Sequence, residues 1–125
     1  GINRTVTATR EATHGALTAD ALRRLDKMTA AGTTHVEIKS GYGLDWETEL
    51  KMLQVIETLK KKHSVGISAT YLAHAIPAGR SADEYTNEVL NEHLPALKEL
   101  IASGELSLDF VDVFCERGFF NAEQS

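Results

Sequence analysis

Apolar residues recur along this chain with two alternating periods, one typical of helices and one typical of strands. The helical period predicts amphipathic helices over about 18–31, 46–62 and 81–104. A short apolar segment that predicts a strand follows each of them, over about 34–39, 65–73 and 109–115. Because helices and strands alternate with short connections, the sequence predicts an α/β fold built on a parallel sheet.

The first two predicted helices have recognisable ends, and the second has a clear core-facing stripe. Gly32 predicts the end of the first helix, since glycine readily takes the conformation that closes a helix. In the second helix, apolar residues with i, i+3, i+4 and i+7 spacing share one face: Met52, Val55, Ile56 and Leu59. Asp45 precedes this helix and is its predicted N-cap.

The third helix opens with a capping-box sequence that runs from Ser81 to Glu84. Pro95 lies within the helix and is expected to kink or split it, because proline lacks the N–H of the preceding turn. Four apolar residues are expected to face the core: Leu90, Leu94, Leu97 and Ile101. A second capping-box sequence at 121–124 predicts the start of a fourth helix.

Each predicted strand has one apolar and one polar face. On the first strand, Glu37 and Lys39 alternate with Val36 and Ile38. The polar residues of the other two strands are Ser68, Thr70, His74, Asp112 and Glu116. Because buried charges are costly unless they are paired, polar faces on three neighbouring strands indicate a lined cavity such as a barrel interior. The alternatives are that Glu37 and Lys39 only pair with each other, or that one strand is an exposed edge.

The segment VEIKSGYGL at 36–44 predicts a strand that runs into a loop presenting Tyr42. Gly41 and Gly43 flank the tyrosine, and they permit positive φ and close approach of the backbone. A strand, a tight loop with a polar tip and a helix form the binding rim of many α/β proteins. Tyr42 is therefore a candidate site residue, and the alternative is a hydroxyl that only stabilises the loop.

His74 is the second candidate, because YLAHAIP at 71–77 places it at the carboxyl end of a strand. Imidazole can donate a proton or a hydrogen bond to a substrate, or bind a metal. No two histidines have the spacing of a zinc motif. Cys115, the single cysteine, is interpreted as a core residue rather than a nucleophile. The remaining histidines are expected to be structural or on the surface, with the first strand's histidine facing the helices: His14, His35, His63 and His93.

Composition excludes several classes of protein. The net charge of −5 argues against a surface for nucleic acid or anionic membranes, since both need a basic patch. No segment approaches the roughly 18–20 continuous apolar residues of a membrane span. A single cysteine forms no internal disulfide and fits a cytoplasmic protein. With 125 residues, no initial methionine and too few units for a closed barrel, the chain is expected to be a piece of a longer protein.

Four segments of the chain together resemble the imidazolonepropionase family of the amidohydrolase superfamily. They are GINRTVTATREAT at 1–13, VEIKSGYGL at 36–44 with ETELKML at 47–53, YLAHAIP at 71–77 and VDVFCERGFF at 111–120. They follow the family's order with suitable spacing, so the resemblance covers essentially the whole chain. It implies that residues 1–125 are a single piece of a (β/α)8 TIM barrel, containing barrel strands 2–4 and no second domain.

The resemblance also implies an activity. Enzymes of this family hydrolyse 4-imidazolone-5-propanoate to N-formimidoyl-L-glutamate in histidine degradation, with a zinc or iron ion that activates a water. By motif match, Tyr42 and His74 contact this small-molecule substrate. The family's metal ligands and its acid/base glutamate match no position of this chain. We therefore expect the isolated chain to contain no catalytic residue, to bind no zinc tightly and to be inactive.

Three other interpretations remain open from the sequence. The chain could be a non-catalytic, flavodoxin-like α/β interaction module, although it has few units and no compact acidic site. It could belong to an amidohydrolase paralogue that acts on another cyclic amide. It could also self-associate through the open edges of its sheet, because unpaired strand edges promote such contacts.

Overall fold

A computed structural model describes all 125 residues, Gly1–Ser125. Its helices and strands alternate as the hydrophobic pattern predicts. In chain order they are α1 (Asn3–Glu11), α2 (His14–Ala30), β1 (His35–Lys39), α3 (Trp46–Lys62), β2 (Gly66–Ala73), α4 (Ala82–Glu88), a π-helical turn (Val89–His93), α5 (Leu94–Ala102) and β3 (Phe110–Val113). No helix is both long enough and apolar enough to cross a membrane.

The three strands form one parallel sheet in the order β1-β2-β3. Val36 pairs with Ile67, and Tyr71 pairs with Val111, so each pair of neighbours lies in register on the same face. The prediction of an α/β fold with a parallel sheet is thereby confirmed. Because all three strands run in the same direction, their carboxyl ends lie along one edge. That edge carries the residues that follow Lys39, Ala73 and Val113.

Local sequence signals set several helix ends as predicted. The side chain of Asp45 accepts a hydrogen bond of 2.8 Å from the N–H of Thr48 and caps α3. Ser81 and Glu84 form a complete capping box at the start of α4. Gly32 takes a φ of +95° just after α2, where it ends the helix.

The helix around Pro95 is divided, as its sequence predicts, but the predicted core stripe is partly wrong. The N–H of Leu94 bonds to the carbonyl of Val89, five residues back, and this wider turn shifts the faces of the helices on either side. Leu97 is 2% exposed, whereas Leu90 and Ile101 are 54% and 41% exposed. The predicted stripe assumes regular α-helical spacing, and the extra residue in the π turn breaks that spacing.

Two features near the amino terminus differ from the predicted elements. Residues Asn3–Glu11 form a helix that the hydrophobic pattern does not predict, since Val6 is its single buried residue. The ammonium group of Lys51 donates hydrogen bonds of 2.9–3.0 Å to three carbonyls at the end of this helix, which anchors it to α3. Helix α2 begins at His14, earlier than predicted, because Thr13 caps it through a 3.1 Å bond from the N–H of Ala16.

The core lies on the apolar face of the sheet, beneath the helices. Its larger cluster is formed by β2 with α3, α4 and α5 and includes the fully buried Tyr71, Ile56 and Leu97. A smaller cluster is formed by α2, α3 and β1 around Leu25 and Leu59. The opposite face of the sheet carries the polar residues, of which His35, Glu37, Lys39 and Asp112 are exposed.

Candidate active site

Tyr42 and His74, the two candidates from the sequence, lie in contact at the carboxyl edge of the sheet. Their ring centroids are 4.8 Å apart and the ring planes meet at 67°, an edge-to-face arrangement. Tyr42 lies three residues after the end of β1, and His74 directly follows β2. Adjacent parallel strands therefore bring the two side chains together. Both are half-buried.

The imidazole of His74 is oriented by the loop that carries Tyr42. Its Nδ1 lies 3.1 Å from the carbonyl oxygen of Gly41. A carbonyl can only accept, so this hydrogen bond places a proton on Nδ1. Nε2 makes no hydrogen bond within the chain and remains available to a ligand. His74 can thus accept a hydrogen bond at Nε2 when neutral, and donate one there when protonated.

The Tyr42 loop, residues 40–44, is held from beneath by Glu49 of α3. The carboxylate accepts hydrogen bonds from the N–H groups of Gly41 at 2.6 Å, Gly43 at 2.7 Å and Leu44 at 3.0 Å. Glu49 is 1% exposed. Sequence reasoning missed this residue. The available signal was an acidic residue in the first turns of a helix that follows a glycine-flanked loop, a place where backbone N–H groups converge.

Both glycines of the Tyr42 loop are required by close contacts. Gly41 has a φ of +103°, and a Cβ there would lie 2.9 Å from the Cβ of His74. A Cβ at Gly43 would lie 2.6 Å from the Cβ of Thr48. The loop is thus packed against β2 on one side and against α3 on the other. The prediction that these glycines permit close backbone approach is confirmed.

Further hydrogen bonds hold the two ends of the Tyr42 loop. At its start, the fully buried Ser40 donates its N–H to the carbonyl of Thr70 at 2.9 Å and accepts at Oγ from the N–H of Leu72 at 3.2 Å. At its other end, the guanidinium of Arg10 contacts the carbonyl of Gly43 at 2.8 Å. The loop is therefore fixed by α1, β2 and α3 together.

Two phenylalanines extend the aromatic contact beyond His74. Phe114 follows β3, and its ring centroid lies 5.5 Å from that of His74 and 4.8 Å from that of Phe119. The Phe114 side chain is 39% exposed, so it presents an apolar surface beside the histidine. Sequence reasoning did not single out Phe114, although its position just after a strand matches that of His74.

The polar face of the sheet is confirmed, except that Glu116 lies beyond the end of β3 and is not part of it. Residues of this face pair across strands. Lys39 of β1 lies 2.7 Å from Asp112 of β3 and 3.5 Å from Glu37 of its own strand. The intrastrand pairing named as an alternative is therefore present, but the closer partner is on another strand. The hydrogen bond to Asp112 raises the pKa of Lys39, and the same bond lowers the pKa of Asp112. Thr70 donates to Glu37 at 2.6 Å.

Two side chains lie where the sequence did not predict them. His35 shares the polar face with Glu37 and contacts Ser68 Oγ at 2.8 Å, so the expectation that it faces the helices is wrong. The reason is the strand period of two, which puts residues 35 and 37 on the same side. Cys115 is exposed rather than in the core, because β3 ends at Val113 and the chain turns away.

His93 is a structural residue, as expected, and is fully buried. It lies on the apolar side of the sheet, between Tyr71 and Glu88. No group of three or more His, Cys, Asp or Glu side chains in this chain is placed to hold a metal ion. The residues present therefore do not fit the zinc or iron site that the resemblance implies for the whole protein.

Comparison with known proteins supports the resemblance read from the motifs. The chain is 52% identical over 126 aligned residues to the probable imidazolonepropionase of Homo sapiens, covering all of this chain and 30% of the human protein. It is 48% identical to the probable imidazolonepropionase of Xenopus laevis and 47% identical to the imidazolonepropionase of Haloarcula marismortui, again over the whole chain and 29% of each relative. No protein-family model matches the chain.

These three relatives come from different organisms, and each aligns with the entire chain. The chain spans about 30% of the length of the curated relatives it matches. The motif-based resemblance is therefore confirmed over its whole length: this sequence corresponds to a segment of proteins named imidazolonepropionase.

Proposed function

We propose that the longer protein to which this segment corresponds is an imidazolonepropionase, a hydrolase of histidine degradation. Its reaction would add water to the ring of 4-imidazolone-5-propanoate and break the cyclic amide C–N bond, which yields N-formimidoyl-L-glutamate. The observation that carries the proposal is the match of the whole of this chain to about 30% of proteins of that name, at 47–52% identity. The contact between Tyr42 and His74 at the carboxyl edge of the sheet supports it.

In this proposal Tyr42 and His74 bind the substrate. The phenolic hydroxyl of Tyr42 supplies one hydrogen bond to a polar group of the ring or its side chain. His74 has Nδ1 occupied by the carbonyl of Gly41, so Nε2 is the atom that meets the substrate. A protonated Nε2 beside the ring carbonyl would polarise it towards attack by water. The two residues would thus orient the substrate and activate its carbonyl.

We further propose that the sheet is part of a (β/α)8 barrel, in which β1, β2 and β3 are strands 2–4. The uncovered polar face would line the barrel interior, and the apolar face would pack beneath the helices. A zinc or iron ion, if the whole protein uses one, would be bound by residues outside these 125. Accordingly, residues of this chain would bind and orient the substrate within the whole protein, and the chain alone is proposed to be inactive.

The direct test is the loss of ultraviolet absorbance of 4-imidazolone-5-propanoate in the presence of the full-length protein supplied with zinc or with iron. We expect turnover, and we expect Tyr42→Phe and His74→Ala to lower kcat/KM by about 10²-fold or more, the usual scale for groups that position or polarise substrate. His35→Ala is a matched control, because His35 lies at the opposite, amino end of the same strands.

Either of two results would reject the proposal. One is the absence of turnover by folded, metal-loaded protein, which would redirect the search to other cyclic amides. The other is turnover in which Tyr42→Phe and His74→Ala behave like His35→Ala, which would remove these residues from the site.

A further inference from the structure

Glu49 makes an unusual set of contacts for a buried glutamate. Its carboxylate has no cationic side chain within ion-pair distance, and its hydrogen-bond partners are three backbone N–H groups of the Tyr42 loop. A buried carboxylate without a cation is costly unless strong hydrogen bonds compensate it. Bonds from N–H groups to an ionised carboxylate are short and strong, as the 2.6 Å and 2.7 Å distances here illustrate.

These contacts affect both candidate substrate-binding residues, Tyr42 and His74. Gly41 and Gly43, which Glu49 holds by their N–H groups, lie on either side of Tyr42. The carbonyl of the same Gly41 accepts the hydrogen bond from Nδ1 of His74. One carboxylate therefore fixes the backbone on both sides of the tyrosine and, through Gly41, the tautomer and orientation of the histidine.

We infer that Glu49 is a positioning residue that sets the relative placement of Tyr42 and His74. The role of Glu49 in substrate binding rests on the proposed function, whereas its effect on the geometry of the Tyr42 loop does not. Glu49 touches no substrate in this arrangement, because it lies beneath the loop and is 1% exposed. Its effect is transmitted by the peptide groups of Gly41 and Gly43.

The variant Glu49→Gln tests this inference with little change in shape. A glutamine amide has a single acceptor oxygen, and its NH₂ group would face an N–H of the loop. The loop would lose at least one hydrogen bond and gain a contact between two donors. Glu47→Gln is the matched control, because it removes the same charge from the same helix. Glu47 is exposed and has no hydrogen bond to the loop.

The first measurement is hydrogen–deuterium exchange of the full-length protein, followed on peptides that cover residues 40–46. We expect Glu49→Gln to accelerate exchange at Gly41, Gly43 and Leu44 by about tenfold or more, the factor that corresponds to loss of a hydrogen bond to a charged group. Exchange elsewhere and in Glu47→Gln should be unchanged. Unaltered exchange of these amides would overturn the inference.

The second measurement is a double-mutant cycle on kcat/KM for 4-imidazolone-5-propanoate. Glu49→Gln should lower kcat/KM by about 10- to 100-fold in the wild-type background, the scale of a small misplacement of a substrate-positioning group. In the Tyr42→Phe background the loss should be smaller, since the tyrosine hydroxyl is already gone and only the part of the effect that acts through His74 remains. Equal losses in both backgrounds would show that Glu49 does not position Tyr42, which would overturn the inference.

The two measurements separate the inference from the proposed function. If the wild-type protein does not turn over this substrate, the proposed function fails, and the exchange rates alone decide the role of Glu49. If Glu49→Gln does not fold, Glu49→Asp replaces it, because a shorter carboxylate keeps the charge but cannot reach all three N–H groups. Faster exchange in Glu49→Asp supports the inference, and wild-type exchange contradicts it.

Discussion

The hydroxyl of Tyr71 lies 2.7 Å from Nδ1 of His93 in the centre of the protein. Burial raises the pKa of Tyr71, so its hydroxyl stays neutral and donates this hydrogen bond. Nε2 of His93 then carries the proton and donates to Glu88 at 3.1 Å. Arg80 pairs with the second carboxylate oxygen of Glu88 and completes the row. Every polar atom in the row from Tyr71 to Glu88 is thus satisfied inside the core.

Tyr71→Phe should destabilise the protein by about 1–3 kcal/mol, because it leaves a fully buried imidazole nitrogen without a partner. Urea unfolding monitored by circular dichroism would measure the loss. Tyr85→Phe is the control, since Tyr85 also contacts the His93 ring but shows no hydrogen bond from its hydroxyl. A difference of less than about 0.5 kcal/mol between the two variants would contradict this account.

Gly41→Ala should be more damaging than Gly79→Ala, although both glycines have positive φ. The two substitutions share the backbone strain of a side chain in the left-handed region. At Gly41 the new methyl group would also meet His74 and Leu72 at 2.9 Å, whereas no atom lies within 4 Å at Gly79. The difference in unfolding free energy, expected to be about 1–3 kcal/mol, measures this overpacking.

The Michaelis constants of these two glycine variants should differ as well. Since Gly41 accepts the hydrogen bond of His74, Gly41→Ala should raise KM for the proposed substrate, while Gly79→Ala should leave it within about twofold of wild type. Matching unfolding free energies and KM values for both variants would show that the contact with His74 is unimportant.

Local signals in the sequence predicted the features that depend on neighbours along the chain. The cap at Asp45 and the capping box at Ser81 involve residues three positions apart, so their bonds can be read from spacing. The two capping predictions needed no knowledge of the folded surface. The contact between Tyr42 and His74 was not itself predicted, although the resemblance assigns both residues to one substrate and parallel strands place their carboxyl ends side by side.

The features that sequence missed depend on distant contacts. Helix α1 has little apolar surface of its own and is anchored by Lys51, some forty residues away. The carboxylate of Glu49 finds three N–H groups only once the loop has folded over it. The exposure of Leu90 follows from one extra residue in the π turn, for which the apolar spacing gave no sign.

Acid should weaken the protein partly through Asp109. Its pKa is lowered chiefly by the hydrogen bond from the N–H of Ala69; burial opposes this effect, and the hydrogen bond and charge of Lys60 lower the pKa further. The folded state therefore binds fewer protons than the unfolded state. The stability that the ionised carboxylate contributes is present above its usual pKa of about 4 and is lost as pH falls through the lowered value.

Asp109→Asn should accordingly reduce the dependence of the unfolding free energy on pH below about pH 4, as well as stability at neutral pH. Urea titrations at a series of pH values from neutral to acid would measure both effects. Glu92→Gln serves as the control, because Glu92 is exposed and makes no hydrogen bond. Parallel pH profiles for wild type and Asp109→Asn would contradict the assignment.

The 125-residue chain by itself should self-associate through β3, which pairs with β2 on one side only. Phe110 and Val111 on this strand are 56% and 58% exposed, and an apolar strand edge invites pairing. Size-exclusion chromatography with light scattering should give a mass above that of the monomer. Val111→Lys should lower this mass. Met28→Lys, which also replaces an exposed apolar residue by a charged one but lies on α2, should leave the mass unchanged.

The ion pair between Lys39 and Asp112 joins the two outer strands of the sheet over the middle one. In a flat sheet those strands would lie about 10 Å apart, twice the usual spacing of neighbouring strands. An ammonium and a carboxylate that meet above β2 favour a sheet that is concave towards its polar face, because flattening would move the two groups apart. Since both side chains are exposed to water, this preference is weak.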